Sequence, residues 1–237
     1  MSIQPIKLWG HWGGPNPWKV CIILEELGLP YDLQLVEFAD VKRPDYLAIN
    51  PNGRLPTIQD PNTGITLWES AAIIIYLIEK YDKTGILSYA QSQENYLCQQ
   101  WLSFQSSGNN EPHLDLSTGQ GPYFGQATWF ARFHPEKLPS ATERYVNEIV
   151  RVFGVLDKGL TRNGTGWLVG NKCTYADLSF VTWAVIGEGL LQELGRADEL
   201  KETHPRYTAW LESMKDREKV AKCLSLIARG RAAHGLR

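Results

Sequence analysis

Apolar positions in the first eighty residues switch between a period of two and a period near 3.6. Ile3 to Trp9 is a short apolar-rich segment ending at Gly10, which predicts a strand. Asn16-Pro17 predicts the opening of a helix, because Asn is a favoured N-cap and Pro a favoured first helical residue. Val20, Ile23, Leu24 and Leu27 follow at the spacing of one helical face, and Gly28 closes the helix. Tyr31, Leu33 and Leu35 alternate with Asp32 and Gln34 as in a strand, and Pro44 to Asn50 is at most a short helix. Thr57 to Asp60 and Ile65 to Trp68 flank the turn-rich Pro61-Asn62-Thr63-Gly64, so they pair antiparallel. Glu69 to Tyr81 is a helix with an apolar centre. The order β-α-β-(α)-β-β-α describes a small α/β unit with a mixed sheet.

After Gly85 the strand period disappears. Helical spacing recurs over Asn95–Phe104, Ser140–Leu160, Thr174–Leu191, Pro205–Met214 and Glu218–Arg229. The change of period divides the chain into residues 1–83, an α/β domain, and residues 90–237, an all-helical domain. Ser107 to Gly125, rich in Gly, Asn, Ser and Pro, reads as a loop. Thr174-Tyr175-Ala176-Asp177 reads as a structural capping box, with Thr174 as cap and Asp177 bonding back to it.

Composition removes several functional classes. With 24 basic and 26 acidic residues, the chain carries no basic footprint for nucleic acid. No apolar run approaches the length of a membrane span, and Met1 to Gly10 lacks the pattern of a secretory signal. Cys21, Cys98, Cys173 and Cys223 are scattered and form no CxxC, as expected of free buried thiols in a reducing, cytoplasmic setting. No metal site is expected.

Two short stretches carry chemistry. Within Asn50-Pro51-Asn52-Gly53-Arg54-Leu55-Pro56, Pro56 enters a strand without an N–H to give the ladder. A proline before the last two strands of such a unit looks like the cis-proline loop of the thioredoxin fold. There the Leu55 N–H and C=O would face outward and pair with a peptide-like ligand as an added strand does. An ordinary trans turn is the alternative. Trp68-Glu69-Ser70 lies at a strand-to-helix junction, where free N–H groups favour an anion. Ser70 and those N–H groups suit the carboxylate of a γ-glutamyl head, and Glu69 suits its ammonium; a plain helix cap is the alternative reading.

Taken together, these motifs and the helical second half resemble the glutathione transferases. Pro15-Asn16-Pro17-Trp18-Lys19-Val20 narrows the resemblance to the group of the yeast nitrogen-catabolite regulator and the bacterial nu-class enzymes. Trp101-Leu102-Ser103-Phe104-Gln105, Phe133-His134-Pro135-Glu136-Lys137, Glu143-Arg144-Tyr145 and Trp167-Leu168-Val169-Gly170 fit the same group, so the likeness covers essentially the whole chain. It implies a thioredoxin-like N-terminal domain, an all-α C-terminal domain and a homodimer. It also implies glutathione as co-substrate and a small hydrophobic electrophile as second partner.

Many members stabilise the glutathione thiolate with a Tyr, Ser or Cys near the end of the first strand. Here that stretch reads Gly10-His11-Trp12-Gly13-Gly14-Pro15-Asn16, without a hydroxyl or thiol, so Asn16 is the catalytic candidate. Its side-chain oxygen would cap the helix and its amide would donate to the thiolate. Lowering a thiol by about two pKa units requires about 2.7 kcal/mol. A charge-assisted hydrogen bond of about 1.5–3 kcal/mol together with a helix N-terminus covers that requirement. The glutathione-binding set is then Asn16, Lys42, Arg54, Leu55, Pro56, Glu69 and Ser70, with Lys42 or Arg54 reaching the glycyl carboxylate. His11 and Cys21 read as structural. Trp12, Phe104, Tyr123, Phe124, Trp129 and Phe133 are the expected walls of an apolar electrophile pocket. Asn109 to Gln120, extra length relative to the group, is expected to shape or lid that pocket. Conjugation to an electrophile is the leading reading. Glutathione-dependent disulfide or peroxide reduction, a non-enzymatic regulator and a biosynthetic tailoring transferase are the alternatives.

Overall fold

The computed structural model describes residues 3–90, 92–106 and 120–236. The chain divides into two compact units, residues 1–88 with 215–237, and residues 89–214. Each is described by itself.

The first unit holds a four-stranded sheet of β1 (Ile6–Gly10), β2 (Tyr31–Leu35), β3 (Thr57–Asp60) and β4 (Ile65–Trp68), in the order β2-β1-β3-β4. β1 and β2 are parallel, with Leu8 opposite Leu33; β1–β3 and β3–β4 are antiparallel, with Ile58 opposite Leu8 and Leu67. Helix α1 (Pro15–Glu26) makes the crossover, α2 (Pro44–Leu47) is a single turn, and α3 (Ser70–Tyr81) closes the unit. This is the mixed α/β unit the sequence predicts.

The helix start is corrected: Gly14, not Asn16, is the N-cap of α1. Pro15 has the fixed φ and missing N–H that suit a first helical position, so the helix begins two residues earlier and Asn16 lies inside its first turn.

Pro17 through Leu24 are all buried, so α1 is covered on every side. It packs on β1, on α3 and on the final helix of the chain, α10 (Glu218–Ala233). α10, which the sequence groups with the helical half, thus packs on the first unit. Arg217, just ahead of α10, makes a bidentate pair with Glu26 at 2.9 Å on both arms, and Lys222 bonds Glu25 at 2.7 Å. Without α10 the apolar outer face of α1 would meet water. Gly230 of α10 lies directly on the Trp12 indole, where a Cβ would fall 2.1–2.5 Å from ring carbons. Gly230→Ala is therefore expected to destabilise the protein by about 2 kcal/mol, because a planar ring set against Trp18 cannot give way cheaply. Urea unfolding of the variant beside the wild type checks this.

The second unit is helical: α4 (Gln93–Ser106), α5 (Gln120–Thr128), a π-helical turn Trp129–Phe133, α6 (Pro139–Asn163), α7 (Tyr175–Glu193), α8 (Ala197–Thr203) and α9 (Pro205–Lys215). Every residue of α7 from Tyr175 to Ala184 is buried. The amphipathic α6 lays Val146, Ile149, Phe153, Leu156 and Leu160 inward. The expected loop Ser107–Gly125 ends earlier than predicted, since α5 starts at Gln120. Gly121 and Gly125 face the Trp183 indole, where a Cβ at either would make an ordinary contact at 3.8–4.0 Å. Gln120 anchors the turn, bonding the Phe180 carbonyl and receiving Gln105. Of the stretch Asn109–Gln120, residues 109–119 lie outside the described residues. Among the described residues, no helix is long and apolar enough to cross a membrane, and no His, Cys, Asp and Glu cluster could hold a metal.

Candidate functional site

The 50–56 loop is held from beneath by two buried polar side chains. Asn50, 1% exposed, donates through Nδ2 to the Arg54 carbonyl (2.7 Å) and to Thr57 Oγ1 (3.0 Å), and its Oδ1 accepts the Asn52 N–H (2.9 Å). The Tyr46 hydroxyl also donates to the Arg54 carbonyl at 2.8 Å. These bonds hold the loop as it reaches a cis Leu55–Pro56 peptide, the isomer expected from the sequence. The Leu55 N–H and C=O have no hydrogen-bond partner among the described residues, and Leu55 is only half-buried. A peptide-like ligand can therefore use both.

Gly53 permits the next contact. It has φ +57°, and a Cβ there would strike the Val41 carbonyl at 2.7 Å and the Lys42 side chain at 2.9 Å. Lys42 Nζ is thereby free to bond the Asn52 carbonyl at 2.8 Å. Asn52 Nδ2 in turn donates to Glu69 Oε1 at 3.3 Å. Lys42, Asn52 and Glu69 thus form one exposed polar cluster beside Leu55.

Glu69 is the N-cap of α3 and, among the described residues, the only non-glycine with positive φ (φ 68°). Such a backbone costs about 1–3 kcal/mol and is found where surroundings impose it, often at functional sites. Its carbonyl accepts the Ile73 N–H at 3.0 Å, starting α3, while its carboxylate stays exposed. Ser70, 7% exposed, follows at the first helical position, where the α3 N–H groups are unpaired within the helix. Glu69 thus holds the cap position through its backbone, and its side chain makes no cap hydrogen bond.

Lys19, absent from the sequence-based site, is 1% exposed inside α1. Burial pushes its ammonium down to about 7, partly opposed by the negative charge of Glu69. A lysine in a helix reads as surface by default, so only its place inside an otherwise apolar helical face could have signalled this. Asn50 and Tyr46 were also missed as loop-holding residues.

The other expected residues divide. Asn16 lies half-buried in the first turn of α1, and Arg54 is exposed. Trp12 stacks on Trp18 with centroids 5.2 Å apart. His11 is buried: its Nδ1 accepts the Gly13 N–H at 2.9 Å and its Nε2 lies 3.3 Å from Glu37. It organises the loop before α1, as its structural reading requires. In the second unit, Phe104 contacts Trp101 and Phe180, and Tyr123 contacts Tyr145. Trp129 and Phe133 are exposed and stacked at 6.2 Å. Phe124 is corrected from pocket wall to core: it is 0% exposed and wedged against Phe153 and Trp183.

Residues 13–80 match the glutathione S-transferase N-terminal domain and residues 126–225 the glutathione S-transferase C-terminal domain. The chain is 49% identical over 233 residues to the glutathione S-transferase-like protein gedE of Aspergillus terreus, covering 95% of this chain and 97% of that protein. It is similar to the crystal structure of the glutathione transferase URE2P6 of Phanerochaete chrysosporium in complex with oxidized glutathione. That match has a TM-score of 0.84 and 43% identity, covering 96% of this chain and 98% of the other. URE2P5 of the same fungus, cocrystallized with 1-(S-glutathionyl)-2,4-dinitrobenzene, superposes with a TM-score of 0.83 at 36% identity, covering 98% of each chain. A cis-proline loop on a β2-β1-β3-β4 sheet, a second helical unit and these matches together make the chain a member of the glutathione S-transferase family, in its Ure2-like group.

Proposed function

We propose that this chain binds glutathione on its first unit and transfers the thiolate to a small hydrophobic electrophile. The observation that carries the reading is the unpaired Leu55 backbone beside the Lys42–Asn52–Glu69 cluster. The cysteinyl backbone of the tripeptide pairs with the Leu55 N–H and C=O, after Pro56 has turned the chain. The γ-glutamyl carboxylate lies on Ser70 and the α3 N–H groups, and its ammonium on Glu69. Lys42 and Arg54 supply positive charge for the glycyl carboxylate. Asn16 donates its amide to the sulfur. At its position in the first turn the helix N-terminus adds to that stabilisation, although the residue does not cap the helix. Catalysis is then thiolate activation plus positioning.

Asn16→Ala tests the assignment. The variant is expected to raise the pKa of the bound thiol by about one to two units, the worth of one charge-assisted hydrogen bond. Turnover at neutral pH should fall about 10- to 100-fold. Ultraviolet titration of the bound thiolate is the measurement, and an unchanged pKa removes Asn16 from the mechanism.

Reduction of glutathione disulfides is the second reading. It is favoured by the absence of a hydroxyl or thiol side chain from Gly10 to Pro17 and by the oxidized glutathione bound in URE2P6. Parallel assays with a chlorinated nitroaromatic and a mixed glutathione disulfide separate the two.

A further inference from the structure

Two thiols outside the glutathione site lie against each other in the core of the first unit. Cys21 of α1 and Cys223 of α10 are 202 residues apart in sequence, yet their Sγ atoms are 3.6 Å apart. Cys21 is 0% exposed and Cys223 1%. The Cys21 thiol donates to the Tyr31 hydroxyl at 3.2 Å, and Tyr31 donates to Glu25 Oε1 at 2.8 Å. Glu25 also receives Lys222, the neighbour of Cys223, at 2.7 and 2.8 Å. A closed ring of polar contacts therefore joins the two helices around the sulfur pair.

We propose that Cys21 and Cys223 form a peroxide-oxidisable disulfide, a modification site that fastens α10 to α1. A disulfide needs a sulfur separation of about 2.05 Å, so the atoms have about 1.5 Å to close. The two thiols are not equivalent. The hydrogen bond with Cys223 holds the Cys21 thiol below its usual range, against the effect of burial. Cys223, sharing its proton with Cys21 and buried, is pushed up. With Cys21 as the attacking sulfur, Cys223 lies 3.6 Å away as the resolving one.

The oxidant is a small hydroperoxide, with hydrogen peroxide nearest to water in size. The Cys21 thiolate attacks one peroxide oxygen and the O–O bond breaks. Cys21 becomes a sulfenic acid, and the departing hydroxide takes up the proton Cys21 released, leaving as water. Cys223 sulfur then attacks Cys21 sulfur. The S–O bond breaks, and the second hydroxide leaves as water with the Cys223 proton. Two thiols lose two electrons, and one hydrogen peroxide becomes two waters. Both sulfurs are buried, so the peroxide enters through local opening of α10 and the reaction is slow relative to an exposed thiol. Cys223 lies 3.6 Å from Cys21, so the internal bond forms ahead of a mixed disulfide with glutathione.

The bond would act on more than stability. α10 also seats Gly230 on Trp12, in the loop that leads into the first turn of α1. Fastening α10 fixes the backing of that loop.

The test uses the native full-length protein treated with hydrogen peroxide, digested without reduction and analysed by mass spectrometry. The expected product is a Cys21 peptide joined to a Cys223 peptide, lighter by two hydrogens and separated by dithiothreitol. The oxidised protein should melt roughly 5–10 °C higher. Cys223→Ala should instead accumulate Cys21 sulfenic acid, trapped by dimedone, while Cys98→Ala and Cys173→Ala should link normally. The wild-type result stands even where a variant misfolds. Both thiols remaining free after peroxide treatment, or either linked to Cys98, Cys173 or added glutathione, overturns the proposal.

Discussion

The Asp177→Ala protein is expected to unfold about 10 °C below the wild type while any molecules that remain folded keep the candidate site of the first unit intact. Asp177 is fully buried, and its carboxylate is the meeting point of four donors. Oδ1 accepts the Leu168 N–H at 2.9 Å and the Trp210 indole N–H at 3.2 Å. Oδ2 accepts the Thr174 N–H and its hydroxyl, each at 3.0 Å. One side chain thereby joins the loop before α7, the α7 N-terminus and α9. Alanine leaves these donors in a space without water. Each buried unsatisfied group costs about 1–3 kcal/mol, and relaxation of the loop makes the sum smaller than its parts, so about 4 kcal/mol is expected. For a chain of this size one kcal/mol moves the midpoint by about 2–4 °C, which gives the stated shift. Asp177→Asn is expected to fall between, since its NH2 group must face one of the two donor pairs. Thr174→Ser keeps a hydroxyl at the cap and should stay near the wild type. Thermal unfolding followed by circular dichroism ranks the three, and an Asp177→Ala protein as stable as Thr174→Ser would show the carboxylate to be dispensable.

That capping box could be read directly from Thr174-Tyr175-Ala176-Asp177, because its partners lie three residues apart. The antiparallel β3–β4 pair was legible in the same way, from the tight turn Pro61–Gly64, whereas the order β2-β1-β3-β4 rests on pairing between strands distant in sequence. The loop Asn50–Pro56 was legible for a similar reason: proline and glycine there demand particular backbone shapes, and the shapes are local. What failed was decided by tertiary packing. α5 hid behind Gly121, Pro122 and Gly125, which read locally as a turn, whereas the helix is fixed by Gln120 bonding Phe180 and by Phe124 packing on Phe153 and Trp183 far away in sequence. α1 starts two residues earlier than the sequence suggests, because Asn16 reads as the cap when Pro15 is itself an excellent first residue. The return of α10 to α1, and with it the contact of Cys21 with Cys223, has no signature in either segment alone. Phe124 and Phe133 are the same residue type nine positions apart, one in the core and one exposed, and only packing separates them.

Lys19 gives the second large effect, and its sign depends on pH. The folded chain holds its ammonium at about 7, mainly through burial, whereas an unfolded lysine titrates near 10.4. Between those values the unfolded chain carries a proton that the folded chain has released. Stability therefore rises with pH across that window, and below about 7 the full penalty of burying the charge is present. A shift of this size corresponds to about 5 kcal/mol. In Lys19→Met the charge is gone in both states, and a flexible apolar chain of similar length fills the same space. The variant should gain most on the wild type near pH 6. That advantage should shrink by about 5 kcal/mol as the pH rises to about 10.5. The difference between the two proteins is the quantity to follow, by urea unfolding at several pH values. Differencing removes other titrating groups and any constant packing change made by methionine. A gap that stays constant across the window would mean that Lys19 keeps an ordinary pKa in the fold. A gap that closes would show that the protein carries a costly buried cation on α1, favoured by the negative charge of Glu69, the residue whose backbone is itself held at positive φ. Two independent costs on one pair of neighbours are difficult to explain by stability, and they are what a site shaped around an ammonium and a carboxylate would require.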